Sequence, residues 1–412
     1  MPQNAAASAA PPNAARPPRS RRPSVLAKVA LLAFSLLFAL GSLEAGMRIL
    51  GVKPHTATVL STYFQQDAQT GWRGRPNAQC RFTTSNFDVF VTHDASGYRH
   101  GRYDAPLAAD ATAPHPVAWV LGDSGTWGWG VPDGKTYVDL LDASSPDGTR
   151  YRNLGHCGFS SVQQWLLLKE LFAAGHRPDE VFVLFCANDL GENLDDKDQQ
   201  PPRPYLAVVD GRAELRNYPT PPAAGLSVLT WLKNNSLVWN HAHYHAMRAK
   251  GAWRERLAAK SVAAAPAVVG PTQPGPAAPA ASASSEVRPS FAHVPETPEL
   301  IALREAYRGM RDLCREHGVR LIVLGHGYIQ AELGRACEQL DITLIDGSRR
   351  WRRHWASAEA ASRRIDFPTD PHNNEYGHQL LAEGFREDLA SLQARAGAAV
   401  AERIEESSLK TR

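Results

Sequence analysis

Four short blocks of the sequence carry groups suited to nucleophilic chemistry, and the first contains a serine. In VLGDSGTW, Ser124 lies on a glycine-flanked turn directly after an apolar run. A serine at the start of a helix suits acyl transfer. Its hydroxyl can attack a carbonyl, and the backbone N–H beside it has no acceptor within the helix and can bind the developing oxyanion. Taken alone the block is a weak signal, since Gly-Asp-Ser is also an ordinary turn and helix cap.

The second and third blocks offer hydrogen-bond donors. In NLGHCGFSS, Gly158 lets its backbone N–H approach a ligand without an intervening Cβ. In VFVLFCANDL, an apolar run leads straight into Asn188, whose side-chain amide can donate to an oxyanion. Each also has an ordinary explanation, a turn glycine in one case and a helix N-cap in the other.

The fourth block, RIDFPTDPHNNEYGH, supplies an acid and a base. Asp370 and His372 flank Pro371 on a segment just before the last amphipathic helical pattern. A neutral imidazole beside a carboxylate is the general base that a hydroxyl nucleophile needs, because the acid fixes the tautomer of the ring. Asp366 is the second candidate for the acid.

The order of these blocks, Ser, Gly, Asn and Asp-His, resembles the GDSL/SGNH hydrolase superfamily. The resemblance covers roughly residues 115–195 and 318–392. It implies a flavodoxin-like three-layer α/β/α fold with a central parallel sheet. It implies the following roles: Ser124 as nucleophile, Gly158 and Asn188 as oxyanion donors beside the Ser124 N–H, and His372 as base oriented by Asp370.

Two departures from the family pattern leave both hydrolysis and acyl transfer as candidate reactions. Ala187 stands before the Asn where many relatives have Gly, and Asp370 lies two residues before His372 rather than three. The second spacing is similar to that of alginate-type O-acetyltransferases.

We therefore expect a serine-dependent esterase acting on an ester-bearing small molecule or an acylated carbohydrate, with an envelope carbohydrate as one candidate. The first alternative is an O-acyltransferase that modifies a polysaccharide, and the second is a catalytically silent carbohydrate-binding member. Trp127 and Trp129 follow the serine closely, and either stack on a sugar or pack in the core.

The elements that must position these groups are apolar strands alternating with amphipathic helices, which predicts a parallel sheet covered on both faces. The predicted strands are PVAWVLGDS, YRNLG, EVFVLFC, RLIVLG and ITLID, and the predicted helices span 135–142, 162–174, 299–317, 328–338 and 376–393.

The N-terminal part predicts a membrane anchor. Residues 1–23 read as a disordered cytoplasmic tail, and 24–46 as a transmembrane helix. Arginines cluster before this helix and are sparse after it, which places the remainder of the chain outside the cytoplasm. We expect a single-pass inner-membrane protein with a periplasmic catalytic domain. A cleaved signal peptide is the alternative.

The rest of the chain divides into a small β-rich extension at 55–110 and a hydrolase domain at 115–395. That domain contains an insert at 195–297. Within the insert, the Ala/Pro/Ser-rich tract 261–290 is predicted to be disordered.

Other ligand classes are not expected. A net charge of +3 over 412 residues does not indicate nucleic-acid binding, and five irregularly spaced cysteines give neither a disulfide framework nor a CxxC metal pair. His241, His243 and His245 alternate, but residues two apart do not share a helix face, so we expect no metal there. No cofactor is expected.

Overall fold

The computed structural model describes residues 24–55, 63–194, 202–222, 228–264, 291–326 and 330–410. It divides into two units, Met1–Val52 and Lys53–Arg412. The strands, in chain order, are β1 (Phe64–Asp67), β2 (Gly71–Gly74), β3 (Gln79–Thr83), β4 (Asp88–Thr92), β5 (Val117–Leu121), β6 (Arg150–Asn153), β7 (Glu180–Phe185), β8 (Tyr205–Val209), β9 (Arg212–Arg216), β10 (Arg320–Gly325), β11 (Thr343–Asp346), β12 (Asp366–Phe367) and β13 (Asp370–Asn373). The helices are α1 (Val25–Ile49), α2 (Ser124–Trp127), α3 (Tyr137–Ala143), α4 (Ser161–Ala173), α5 (Asp189–Glu192), α6 (Val228–Asn235), α7 (Leu237–Ala264), α8 (Pro298–Glu316), α9 (Ala331–Leu340), α10 (Arg349–Trp355) and α11 (Glu375–Lys410), with 3₁₀ turns at Leu107–Thr112 and Ala358–Ala361.

The first unit contains α1, an apolar helix of 25 residues with none of them buried. At 1.5 Å per residue it is about 37 Å long, enough to cross the roughly 30 Å hydrocarbon layer of a bilayer. The helix begins after Ser24, whose side chain accepts the Ala27 N–H at 3.2 Å. It ends at Ile49, slightly beyond the predicted segment 24–46, and the predicted tail 1–23 lies outside the described residues.

The second unit is built on a five-stranded parallel sheet with the order β11-β10-β7-β5-β6. When the five strands are numbered 1 to 5 in chain order and read from the β6 edge, the order is 2-1-3-4-5, which is the flavodoxin-like arrangement. The predicted fold class is therefore confirmed. In such a sheet the chain passes from β5 to β6 on one side of β5 and then crosses to β7 on its other side, and the crevice at the carboxyl ends of β5 and β7 is where ligands bind.

Helices cover both faces of this sheet. On β5, Trp119 packs in one buried cluster with Leu167 of α4 and Leu303 of α8, whereas Val120 packs on the opposite face with Phe385 of α11. Every side chain of β5 is buried, as expected for a parallel strand that is covered twice. The three layers follow from this alternation.

Smaller elements surround the sheet. The antiparallel pairs β1-β2 and β3-β4 lie within residues 55–110, for which a β-rich extension was predicted and of which 56–62 lie outside the described residues. The insert contains the hairpin β8-β9 and the helices α6 and α7. Helix α7 includes the first four residues of the tract 261–290, and the rest of that tract lies outside the described residues.

Candidate active site

Ser124 lies at the carboxyl end of β5, where the chain turns sharply into α2. Asp123 caps this helix, with its Oδ1 accepting the Gly125 N–H at 2.9 Å. Ser124 is the first helical residue, so its own N–H belongs to the group that has no acceptor within the helix. The side chain is half-buried. The sequence motif thus folds into a turn that presents a hydroxyl and an N–H at one end of the sheet.

The hydroxyl of Ser124 meets the imidazole of His372. Ser124 Oγ and His372 Nε2 are 2.8 Å apart, and His372 Nδ1 lies 2.5 Å from Asp370 Oδ1. Asp370 and His372 both lie on β13, where residues two apart point to the same side, so the acid reaches the ring of its near neighbour. The structure therefore brings three of the predicted site residues into one hydrogen-bonded chain.

Trp129 contacts both the acid and the imidazole of this hydrogen-bonded triad. Its Nε1–H donates to Asp370 Oδ2 at 2.9 Å, and its ring stacks on that of His372 with centroids 4.9 Å apart and planes 19° apart. Burial raises the pKa of Asp370, but the bonds from His372 and Trp129 outweigh it, so the pKa lies below the ordinary value. Asp370 is therefore a carboxylate at neutral pH. By contrast, Trp127 is fully buried and donates to His93, which makes it a core residue.

The Gly158 loop is tied to the serine turn by backbone contacts. His156 N–H donates to the Gly122 carbonyl at 3.1 Å, and a Cβ on Gly155 would lie 2.4 Å from the Trp127 nitrogen. Only glycine permits that approach. Gly158 has φ of +73°, a left-handed conformation that glycine adopts without strain.

Asn188 follows β7 and lies beside the same turn. It is the N-cap residue of α5 and is exposed. Its Nδ2 lies 3.3 Å from Asp123 Oδ2. The same side-chain amide also bonds the carboxylate of Glu192, so its two N–H donors lie between two acids. Asp123 thus links the serine block to the asparagine block.

The sequence reasoning missed Asp123 as a functional residue. The residue is 3% exposed, and besides the bonds from Gly125 and Asn188 it accepts one from the Cys186 thiol at 3.1 Å. Its position between a strand end and a short helix predicts a helix N-cap, and Asp123 does cap that helix through the Gly125 N–H. The other contacts come from a neighbouring strand, which no local pattern reveals.

A second buried acid lies one residue after Asn188. Burial raises the pKa of Asp189 well above its ordinary value, and the carboxylates of Asp123 and Glu192 raise it further. Ser161 donates a hydrogen bond to Asp189 at 3.0 Å.

Asp366, the second candidate for the acid, points elsewhere. Its carboxylate is 3.0 Å from the guanidinium of Arg364, and it is Asp370 that bonds the ring of His372. His378 is buried, with its Nδ1 accepting the Tyr137 N–H at 3.0 Å. These two residues therefore have structural partners away from the serine.

Comparison with known proteins gives matches among solved structures alone. A scan of protein-family models and a search of curated proteins find no match. A member of the lipolytic protein G-D-S-L family from Veillonella parvula is 14% identical, with 66% of this chain and 96% of that chain covered and a TM-score of 0.32. A psychrotrophic esterase from Pseudoalteromonas sp. is 8% identical, with coverage of 68% and 100% and a TM-score of 0.34. An acetylxylan esterase from Geobacillus stearothermophilus is 13% identical, with coverage of 66% and 93% and a TM-score of 0.32.

Proposed function

We propose that this protein is a serine-dependent esterase of the GDSL/SGNH type. The observation that carries the proposal is the hydrogen-bonded chain from Ser124 Oγ to His372 Nε2 and from His372 Nδ1 to Asp370 Oδ1, at 2.8 and 2.5 Å. A hydroxyl, an imidazole and a carboxylate in this sequence of contacts form the arrangement that activates serine for acyl transfer.

The reaction begins with proton transfer from Ser124 to His372. The serine oxygen attacks the ester carbonyl while Nε2 takes its proton, and Asp370 holds Nδ1–H and stabilises the imidazolium. His372 then gives the proton to the departing alcohol, which leaves an acyl group on Ser124. Water, activated by the same imidazole, hydrolyses that acyl-enzyme and restores the serine.

The oxyanion of each tetrahedral intermediate is stabilised by three donors. These are the N–H of Ser124, the N–H of Gly158 and the side-chain amide of Asn188. Preorganised donors of this kind each contribute roughly 3 to 4 kcal/mol to transition-state stabilisation in other serine enzymes. Support for Asn188 comes from its bond to Asp123, the residue next to Ser124.

A second candidate is acyl transfer to a sugar hydroxyl in place of water. The spacing Asp370-Pro371-His372 favours it, because it resembles that of polysaccharide O-acetyltransferases. Both reactions share the acyl-enzyme and differ only in the acceptor. We propose an acylated carbohydrate of the cell envelope as the substrate class.

The proposed location is the outer face of the inner membrane, with α1 as a single-pass anchor. The support is the length and apolar surface of α1 together with the arginines that precede it, Arg16, Arg19, Arg21 and Arg22. A signal sequence has the same properties, so the N-terminus of the mature protein distinguishes the two.

The deciding experiment is turnover of short-chain aryl esters by the full-length protein in detergent, with and without a sugar acceptor. Release of the aryl alcohol with free acid marks hydrolysis, and acylated sugar marks transfer. A serine-directed phosphonate should add its mass to the peptide that contains Ser124. If neither turnover nor labelling at Ser124 occurs, and Ser124→Ala behaves like the wild type, the proposal fails.

A further inference from the structure

Three histidine side chains converge away from the serine. His55, His241 and His245 each offer a ring nitrogen, and these atoms lie within 4.8 Å of one another. The ring centroid of His55 is 4.3 Å from that of His241 and 5.4 Å from that of His245. All three rings are at least partly accessible to solvent. The sequence pattern had drawn attention to His241, His243 and His245, which is a different set.

The helix spacing of two histidines and a backbone hydrogen bond of the third bring the three rings together. His241 and His245 are four residues apart on α7 and therefore share a helix face. The third histidine is brought to that face by its own backbone, since His55 N–H donates to Asn240 Oδ1 at 2.8 Å and Asn240 is 2% exposed. A buried amide thus fixes the segment that carries His55 against α7.

Two of the rings also form a hydrogen bond through one nitrogen, which leaves the other nitrogen to bind a metal. His241 Nε2 is 3.0 Å from the Lys53 carbonyl, which can only accept a hydrogen bond, so a neutral ring keeps its lone pair on Nδ1. His55 Nδ1 is 3.1 Å from Ser85 Oγ, which leaves Nε2 for another ligand. Metal-binding histidines characteristically bond a carbonyl, carboxylate or water through the nitrogen that does not bind the metal.

We propose that His55, His241 and His245 bind a divalent transition-metal cation of the Zn²⁺ type. In a tetrahedral zinc site with Zn–N bonds near 2.0–2.1 Å, the ligand nitrogens lie about 3.4 Å apart. The observed nitrogens lie within 4.8 Å of one another, so binding requires the side chains to move closer together, and His245 is the most exposed of the three.

Three imidazoles leave the fourth position to water or an anion. The cation joins the segment after Val52 to the long helix of the insert. The role that we propose for the cation is to cross-link these two segments.

The test is zinc binding by the full-length protein in detergent after treatment with a chelator. Equilibrium dialysis against Zn²⁺ should give one zinc per chain that the variant His245→Ala loses, with affinity lower by roughly a hundredfold or more. His243→Ala is the matched control, because it removes a histidine of the same helix outside the cluster, and it should bind like the wild type. Cobalt in place of zinc should show the intense visible absorption of tetrahedral coordination in the wild type and the control alone.

Thermal unfolding provides an independent reading. Zinc should raise the midpoint of the wild type and of His243→Ala, and leave that of His245→Ala unchanged, because a ligand stabilises only the state that binds it. If His245→Ala does not fold, His245→Gln replaces it. Equal zinc binding by the wild type and by the folded His245 variant, or equal loss in His243→Ala, would overturn the proposal and leave the rings as an aromatic cluster with Tyr244.

Discussion

Replacing Asp370 by Asn changes a side chain that accepts three hydrogen bonds. Oδ1 accepts from His372 Nδ1 at 2.5 Å and from the His372 N–H at 3.0 Å, and Oδ2 accepts from Trp129 Nε1 at 2.9 Å. An amide has a single accepting oxygen and two donating hydrogens. Whichever way it turns, its NH₂ group faces an N–H donor, on His372 or on Trp129.

The size of the effect follows from these contacts. Leaving one partly buried donor unpaired costs about 1–3 kcal/mol, and the negative charge that stabilises the imidazolium is lost as well. We expect Asp370→Asn to lower kcat by at least a hundredfold, equivalent to about 2.7 kcal/mol of transition-state stabilisation. His372→Ala should be nearly inactive, because it removes the base itself.

The second partner allows a sharper test. Trp129→Phe removes the donor opposite Asp370, so the oxygen of an Asn can then face His372 without conflict. We expect Trp129→Phe alone to lose about tenfold or less, and the double variant to lose less than the product of the two. The coupling should be about 1 kcal/mol, the net value of one hydrogen bond, or roughly fivefold in rate.

The assay is aryl ester turnover, with kcat measured at saturating substrate. The matched control is Asp366→Asn, the same chemical change on the neighbouring strand, where the carboxylate meets Arg364 and not the imidazole. It should turn over like the wild type. A crippled Asp366→Asn beside a healthy Asp370→Asn would make Asp366 the acid, and strictly multiplicative effects in the double variant would refute the conflict between donors.

Three further predictions concern the nucleophile, the anchor and pH. Ser124→Ala should lower kcat by about a thousandfold or more with an unchanged thermal midpoint, and near wild-type turnover would reduce Ser124 to a turn residue. The mature protein should keep its N-terminal tail and stay with membranes through a high-salt wash, whereas an N-terminal sequence starting near Ser42 would identify a cleaved signal peptide. Burial lowers the pKa of His156 and His378 to about 3, so the unfolded chain binds their protons first as pH falls. Unfolding free energy should then decrease below pH 6.5 by about 1.4 kcal/mol per pH unit for each histidine, and urea titrations that agree at pH 7 and pH 5 would contradict this.

The sheet was predictable because buried parallel strands are continuous apolar runs that end in turn residues. EVFVLFC and RLIVLG fall on β7 and β10 almost residue for residue. The hairpin β8-β9 was missed, although its turn had a signal. Asp210 and Gly211 both have positive φ, at +49° and +74°, as a two-residue hairpin turn with the Asp-Gly sequence requires.

The predicted site residues were accessible to sequence reasoning because they lie at strand ends or on the segment before the last helix. Their partners were not, because those contacts arise only when distant segments meet. Trp129 was considered for sugar stacking or the core, and in the structure it bonds Asp370 across 241 residues. His55 joins His241 in the same way, from a segment with no motif of its own.

The two carboxylates near Ser124, those of Asp370 and Asp123, accept hydrogen bonds from different sets of donors. In the part of the chain that the structure describes, Asp370 takes donors from His372 and Trp129, whereas Asp123 takes those of Gly125, Asn188 and Cys186.

This division matters because each donor that already bonds Asp123 weakens the competition of that carboxylate with His372 for the hydroxyl proton. Cys186 suits its place in the set. Burial, with the charge of Asp123 next in size, raises the pKa of its thiol well above the ordinary value, so the sulfur keeps its hydrogen and remains a donor. Cys186, which directly follows the apolar strand β7, thus supplies a neutral donor to Asp123, and the hydroxyl of Ser124 bonds the imidazole.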